Sequence, residues 1–345
     1  MEAALYCPKA GYYERHDRQI GRTGDFYTSV SVGSLFGELL ARRFAEWLEA
    51  LGPGPLQLVE AGAHDGQLAF DILNWLAAHR PALFSQINYW LIEPSVDRQK
   101  RQGLKLDFFS SRLDWFFDWK ALPASGVRGV IFSNELLDAF PVHRVAWDAQ
   151  ARRWFEWGVD WRDDHFAWRR METTEDWPAR LADAGFELPP ELLAVLPDGF
   201  VLEVSPGAAE WWSGAASVLR AGKLLTIDYG LTALERLAPQ RAAGTLHSYS
   251  QHRASADLLS SPGEQDITAH VNFTQLQRAG ERAGLRTEGL FTQPQFLTSI
   301  AMRTAEEGWR DEARGFLTGP QARQLQTLTH PEHLGRVFRI LVQSC

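Results

Sequence analysis

The stretch Leu56-Gln57-Leu58-Val59-Glu60-Ala61-Gly62-Ala63-His64-Asp65-Gly66-Gln67-Leu68-Ala69-Phe70-Asp71-Ile72-Leu73 decides the fold of this chain. It opens as a short apolar strand, turns at Gly62 and Gly66, and leaves as a helix with Leu68, Ile72, Leu73 and Leu76 at helical spacing. Strand, glycine turn and helix together form the ligand-binding corner of a doubly wound sheet, where ligands sit beyond the carboxyl ends of the strands. Glycine permits both the sharp turn and a close approach of backbone to ligand. A turn of this kind also joins strand to helix in proteins that bind nothing there, so the neighbouring strand ends decide between the two.

Upstream, Leu35, Phe36, Leu39, Leu40, Phe44 and Leu48 recur every three to four residues and predict a long amphipathic helix, ended by Gly52-Pro53-Gly54-Pro55. Downstream, Tyr89-Trp90-Leu91-Ile92 reads as a second strand closing on Glu93, and a third lies within residues 104–119. Residues 127–132 read as a buried strand, followed at once by Ser133-Asn134-Glu135-Leu136-Leu137-Asp138-Ala139-Phe140-Pro141. Further strands are expected at 200–205, at 222–230 ending in Asp228-Tyr229-Gly230, and in a final antiparallel pair at 286–291 and 336–342. Strands alternating with helices and closing on an antiparallel pair predict an α/β sheet.

The expected organisation is a single decorated domain over residues 1–345. Its parts are an arm and helix at 1–50, an inserted ribbon and helical subdomain at 142–199, and a loop region at 231–272 covering the active site. Alternating residues from Val142 to Arg170 predict the ribbon, with turns at Asp148-Ala149-Gln150 and Asp163-Asp164. Its tryptophans either pack the ribbon onto the domain or form a docking surface, since aromatics dominate interface hot spots; packing is the simpler reading.

The chain has 345 residues, 45% apolar and 23% charged, as expected for a globular protein with a large core. A net charge of −8 argues against broad nucleic-acid binding and against an anionic membrane surface. The two cysteines, Cys7 and Cys345, lie at opposite ends without metal-ligand spacing, so no metal site is expected. No apolar run reaches membrane-spanning length, and residues 1–9 lack a secretory or transit pattern. A cytoplasmic location is therefore expected.

An acid at the end of a second strand commonly accepts ribose hydroxyls, because a carboxylate takes two hydrogen bonds at once. Glu93 thus implies a nucleoside-bearing cofactor. A dinucleotide needs G-x-G-x-x-G with the acid about 20 residues on. Here His64 stands in the middle of the turn, no third glycine follows Gly66, and Glu93 lies 31 positions after Gly62. No G-x-x-x-x-G-K-[ST] phosphate loop is present. The pattern of Glu60, Gly62 and Gly66 suits S-adenosylmethionine better. That cofactor has no phosphate to cradle, and its sulfonium and amino-acid tail suit an acidic corner that includes Asp65.

Seven motifs extend this reading: Gly24-Asp25-Phe26-Tyr27-Thr28-Ser29, Phe36-Gly37-Glu38, Val59-Glu60-x-Gly62, Asn134-Glu135-x-x-Asp138-Ala139-x-Pro141-Val142-His143, Asp228-Tyr229-Gly230, Gly244-Thr245-Leu246 and Gly263-x-x-Asp266-Ile267-Thr268-Ala269-His270-Val271-Asn272-Phe273. In these the chain resembles the S-adenosylmethionine-dependent methyltransferases that include the mitochondrial complex I assembly-factor methyltransferase and its bacterial relatives. The resemblance implies a class I methyltransferase (Rossmann-like) fold: a seven-stranded mixed sheet, helices on both faces, last strand pair inverted. It also implies a protein substrate, since the mitochondrial member methylates an arginine on a complex I subunit. The chain departs from the family in two places. The family turn usually reads E-x-G-P-G-x-G, whereas Ala63-His64-Asp65 fills its middle here, and the N-terminal helical arm is shortened.

Methyl transfer is an in-line displacement, so the protein supplies alignment and electrostatics rather than a nucleophile or metal. A guanidinium acceptor pairs with carboxylates in bidentate geometry. Glu135 and Asp138, three apart, would share one face of a helical turn and orient it, with His143 or His270 as proton acceptor. Glu60, Gly62, Asp65, Gly66, Glu93 and Asn134 are the expected cofactor contacts. Asp25 and Thr28 either cap the long helix or close over the cofactor. Asn134 and Glu135 have an alternative reading as helix caps. Two other functions fit the same residues: a methyltransferase-like binding or assembly-factor module with weak or no turnover, and a small-molecule methyltransferase.

Overall fold

A computed structural model describes residues 1–14, 28–172, 174–250, 253–255, 257–306 and 317–345. Among them the strands, in chain order, are β1 (Leu56–Ala61), β2 (Ile87–Ile92), β3 (Leu113–Phe116), β4 (Val127–Asn134), β5 (His143–Asp148), β6 (Arg153–Arg162), β7 (His165–Met171), β8 (Val201–Val204), β9 (Leu219–Leu231), β10 (His247–Ser250), β11 (Arg253–Ser255), β12 (Asp266–Thr268), β13 (Val271–Asn272), β14 (Arg286–Thr292) and β15 (Phe338–Ser344). The chain divides into two compact units. Tyr27–Leu136, Ser213–Asp228 and Gly280–Cys345 form a sheet unit; Met1–Phe26, Leu137–Trp212 and Tyr229–Ala279 form a ribbon unit.

The sheet unit carries the strand order β14-β15-β9-β4-β1-β2-β3. β1 pairs in parallel with β2 and β4, β2 with β3, and β4 with β9, while β14 and β15 are antiparallel. Every residue of β1 is buried, as a central parallel strand covered on both faces requires. The long helix Leu35–Ala50 packs on the helix Gln67–His79 that leaves the glycine turn. Gly37 explains its motif here: a Cβ at that position would stand 2.5 Å from Asp71 Cβ.

The ribbon unit holds a second, antiparallel sheet in the order β7-β6-β5-β8. Both expected turns are present. Asp148 accepts the Ala151 N–H at 2.7 Å, and Asp163 and Asp164 take left-handed φ values of 46° and 61°. One expectation is corrected: the strand over 200–205 pairs with β5 and belongs to this sheet, because the ribbon offers it an open edge. Trp147, Trp154 and Trp177 are buried with Val145, Leu181 and Phe200, so these rings form a core. β5 pairs with β6 only as far as Trp157, and beyond it the β6–β7 hairpin continues alone with Trp161 exposed.

Residues 231–272 are more regular than a loop region. Within them β11, β10 and β12 form a three-stranded sheet, and β13 pairs with the end of β9 at Gly230 and Leu231. The N-terminal arm is anchored to this part: Leu5 and Tyr12 are buried with Ile267, and the Tyr13 hydroxyl donates to Asp266 Oδ1 at 2.8 Å. A Cβ on Gly263 would meet the Ala10 carbonyl oxygen at 2.2 Å, so the motif that begins at Gly263 is fitted closely against the N-terminal arm.

Candidate functional site

The glycine turn is built from left-handed backbone. Gly62 has φ 73° and Gly66 φ 86°, values at which a Cβ is penalised. A Cβ on Gly62 would also stand 2.8 Å from Leu136 Cδ1. His64, between them, takes φ 49° without glycine's freedom. Its carbonyl accepts Gln102 Nε2 at 3.0 Å and its ring is half exposed. Asp65 accepts the Gln67 N–H at 3.0 Å and Lys105 Nζ at 2.6 Å. Burial alone would raise its pKa, but the hydrogen bonds from His64 and Lys105 outweigh this and hold the carboxyl below the usual carboxylate range. Asp65 therefore ties the turn to the start of the following helix. Gly62→Ala is expected to cost about 2 kcal/mol or more from backbone strain and the Leu136 clash. Urea unfolding checks the stability loss, and calorimetry the accompanying loss of cofactor affinity.

The two acids at the strand ends differ. Glu60 is 2% exposed, and its Oε2 accepts the Tyr89 hydroxyl at 2.5 Å. Burial pushes its pKa up to about 8, against the lowering by Tyr89. Burial thus favours the neutral form of this group, whose carboxyl is held by the Tyr89 hydroxyl of the neighbouring strand. Glu93 is also buried, yet its oxygens gather donors. Oε1 accepts from Ser95 N and Arg98 Nε, both at 2.9 Å, and Oε2 from Gln102 Nε2 at 3.2 Å. A carboxylate oriented this way at the end of β2 can accept a pair of ribose hydroxyls.

At the end of β4, Asn134 Nδ2 donates to Glu135 Oε1 at 3.1 Å, while the buried Asn134 Oδ1 has no partner. An orphaned acceptor at this edge suits a ligand donor such as an ammonium. Glu135 takes φ 49°, its N–H donates to the Ile227 carbonyl at 2.9 Å, and its Oε1 accepts Ser29 N at 3.3 Å. The buried Asp228 accepts the Leu136 N–H at 3.2 Å, and β9 runs one residue past the expected end at Asp228-Tyr229-Gly230, to Leu231.

Several sequence expectations change here. Glu135 and Asp138 do not share a helix face. The short 3₁₀ turn spans only Leu137–Ala139, and Glu135 stands before it in left-handed backbone. Neither Asn134 nor Glu135 caps an α-helix, since none follows β4 directly. Thr28 does not cap the long helix; Ser34 occupies that position, and Thr28 Oγ1 accepts the Ser31 N–H at 3.2 Å. Asp25 lies outside the described residues.

The remaining expected residues lie in the ribbon unit. Asp138 is buried, and its charge helps raise the Tyr13 hydroxyl well above its ordinary pKa, after burial and Asp266. His143 Nδ1 pairs with Glu156 Oε1 at 2.6 Å across β5 and β6. His270 is pushed down to about 4, first by burial and then by the Arg236 charge, so its ring stands neutral at pH 7. Asn272 braces, as its Oδ1 accepts the Gln275 N–H at 3.2 Å and its Nδ2 donates to the Ala184 carbonyl at 2.9 Å.

Sequence reasoning missed Gln102, which reads as part of a solvated helix. It is fully buried, donates to both His64 O and Glu93 Oε2, and accepts Trp115 Nε1 at 2.9 Å. The signal available was its spacing: Arg98 and Gln102 are four apart in the helix Val96–Lys105 and share a face. It also missed the buried Glu203–Arg236 pair at 2.6 Å, whose partners lie 33 positions apart.

Comparison with known proteins bears on this site. A family profile describing S-adenosyl-L-methionine-dependent methyltransferases matches residues 39–291. A protein from Burkholderia thailandensis solved with S-adenosyl-homocysteine is 32% identical with a TM-score of 0.82, covering 100% of this chain and 86% of its own. The mitochondrial protein arginine methyltransferase NDUFAF7 of Xenopus tropicalis is 28% identical, over 88% of this chain and 71% of its own length. That of Rattus norvegicus is 26% identical, over 98% and 78%. These relatives overturn the expected cytoplasmic location, since their names place them in mitochondria. Among the described residues no helix is long and apolar enough to cross a membrane.

Proposed function

The chain belongs to the S-adenosyl-L-methionine-dependent methyltransferases and is an enzyme with that cofactor, and we propose that it methylates a protein side chain, the arginine guanidinium. The observation that carries this reading is Glu135. A carboxylate at the carboxyl end of β4, beside the unpartnered Asn134 Oδ1, is held in a backbone conformation that non-glycine residues rarely adopt. Strain of this kind persists where the surrounding structure maintains it for function. The names of the arginine methyltransferase relatives support the same acceptor.

S-adenosylmethionine supplies, when bound, a methyl group activated on a sulfonium. Gly62 would let the backbone approach it, Glu93 would accept its ribose hydroxyls, and Asn134 Oδ1 would accept from its ammonium. Arg98 and Gln102 keep the Glu93 carboxylate in place, and Gln102 links that acid to the turn through His64 O. Glu135 accepts two N–H bonds from the guanidinium fork and aligns the third nitrogen for attack. The cofactor would supply the methyl group and leave as the neutral thioether, and the acceptor nitrogen, once methylated, would release one proton to solvent.

Glu135→Gln is expected to lower methyl transfer at least 100-fold while leaving S-adenosyl-homocysteine affinity within threefold, as loss of an alignment contact predicts. Transfer of labelled methyl to lysate proteins, followed by hydrolysis and detection of methylarginine, checks both acceptor and residue. Label found only in small molecules or on other side chains would refute the arginine assignment.

A further inference from the structure

The ribbon unit contains a polar cavity that the methyl-transfer reading does not use. Glu203, Ser205, Arg236, His270 and Asn272 are among its lining residues. Arg236 is 97% buried at its side chain: Nη2 donates to Glu203 Oε2 at 2.6 Å and to Thr245 Oγ1 at 3.4 Å. Its Nε–H, however, is buried without a partner, and so is His270 Nδ1. Both residues line one small cavity, so a single group placed in it can satisfy both atoms, and a buried polar atom left without a partner is costly.

Size and chemistry identify that partner. The cavity offers about 10 Å³ to the centre of a water molecule, enough for one water and too little for a guanidinium or an amino-acid side chain. Arg236 Nε–H can only donate. A group bridging it to an accepting nitrogen must accept on one side and donate on the other, as water does. A small anion is disfavoured by Glu203, which already compensates the guanidinium. We propose that one water molecule is bound here, accepting from Arg236 Nε–H and donating to His270 Nδ1, and that it fixes His270 as the neutral ring with its proton on Nε2.

His270 is then a hydrogen-bond donor and a positioning residue, with no part in proton removal. The groups around it maintain the neutral form. Arg236, His247 and Arg241 disfavour a charge on the ring, only Glu203 favours one, and burial adds to the first set. Its position matters because the neighbouring Ala269 N–H donates to the Asp138 carbonyl at 2.9 Å and Leu137 lines the same cavity. The water, His270 and the Leu137–Ala139 turn form one packed assembly within this unit.

Long-range proton–nitrogen NMR on the full chain labelled at histidine nitrogens tests this directly. Ten histidines are present, so the His270 signals are assigned as those lost in His270→Asn. The expected spectrum shows one neutral tautomer, Nδ1 unprotonated and Nε2 protonated, unchanged between pH 5 and pH 8. A proton on Nδ1, or a charged ring at pH 6, would overturn the proposal. A room-temperature crystal structure of the same chain is expected to show one water within hydrogen-bond distance of both atoms; density for none there also overturns it. Arg236→Lys keeps a cation for Glu203 but removes Nε–H, and is expected to mix the tautomers. The wild-type spectrum decides even if that variant does not fold.

Discussion

Glu203→Ala is expected to destabilise the ribbon unit by about 3–5 kcal/mol, the cost of leaving one member of a buried ion pair uncompensated. Glu203 is 1% exposed, and each of its oxygens is engaged. Oε1 accepts the Thr245 N–H at 2.9 Å; Oε2 accepts Arg236 Nη2 at 2.6 Å and Thr245 Oγ1 at 3.1 Å. Removing the carboxylate strands a guanidinium that burial already pushes below its ordinary pKa, and orphans a backbone N–H as well. The Glu203→Leu, Arg236→Met double variant is expected to recover most of the loss, because an apolar replacement of similar volume avoids the unpaired charge. Urea unfolding followed by tryptophan fluorescence measures both. A single variant losing less than about 1 kcal/mol, or a double no better than the single, would show that the network is solvated. Gly244 belongs to the same construction. It has φ 86°, and a Cβ on it would meet Glu203 Oε1 at 2.0 Å, so the Gly244-Thr245-Leu246 motif exists to close a turn around a buried carboxylate.

That motif shows where sequence reasoning runs out. β1, its glycine turn and the helix Gln67–His79 were legible because they rest on local signals: an apolar run, two glycines at fixed offset, and helical periodicity. The ribbon turns at 148–150 and 163–164 were legible for the same reason. The membership of β8 was not, since an apolar four-residue strand fits either sheet and only the open edge of β5 chooses between them. The surroundings of the carboxylates are less legible. The pattern around Glu60 does not reveal that its side chain is buried against the Tyr89 hydroxyl of the next strand. Glu135 and Asp138 were read as one helical face from a spacing of three, but the positive φ of Glu135 removes it from any helix. The family motifs located the right segments; what they could not convey was which acid is buried, which is strained, and which is paired.

The neutral state of Glu60 has a measurable consequence. A carboxyl whose folded pKa is about 8, against an ordinary 4.5, binds a proton more tightly in the folded chain than in the unfolded one. Its contribution to stability is therefore fully present below pH 4.5 and is lost as pH rises from there through 8. The loss over that window is at most about 5 kcal/mol, at about 1.4 kcal/mol per unit. Glu60→Gln keeps an acceptor for the Tyr89 hydroxyl and cannot titrate. The difference in unfolding free energy between variant and wild type, which cancels groups common to both, is expected to climb in the variant's favour by several kcal/mol between pH 4.5 and 8. The amide brings an extra donor into a buried place, so the variant can begin about 1–3 kcal/mol below wild type at the acid end. The slope, rather than the offset, carries the test; a flat difference across the window would mean that Glu60 is ionised in the fold. The two acids flanking Glu60 differ from it in being paired with cations, Glu93 with Arg98 and Asp65 with Lys105, so they have no comparable reason to take up a proton as pH falls toward 5.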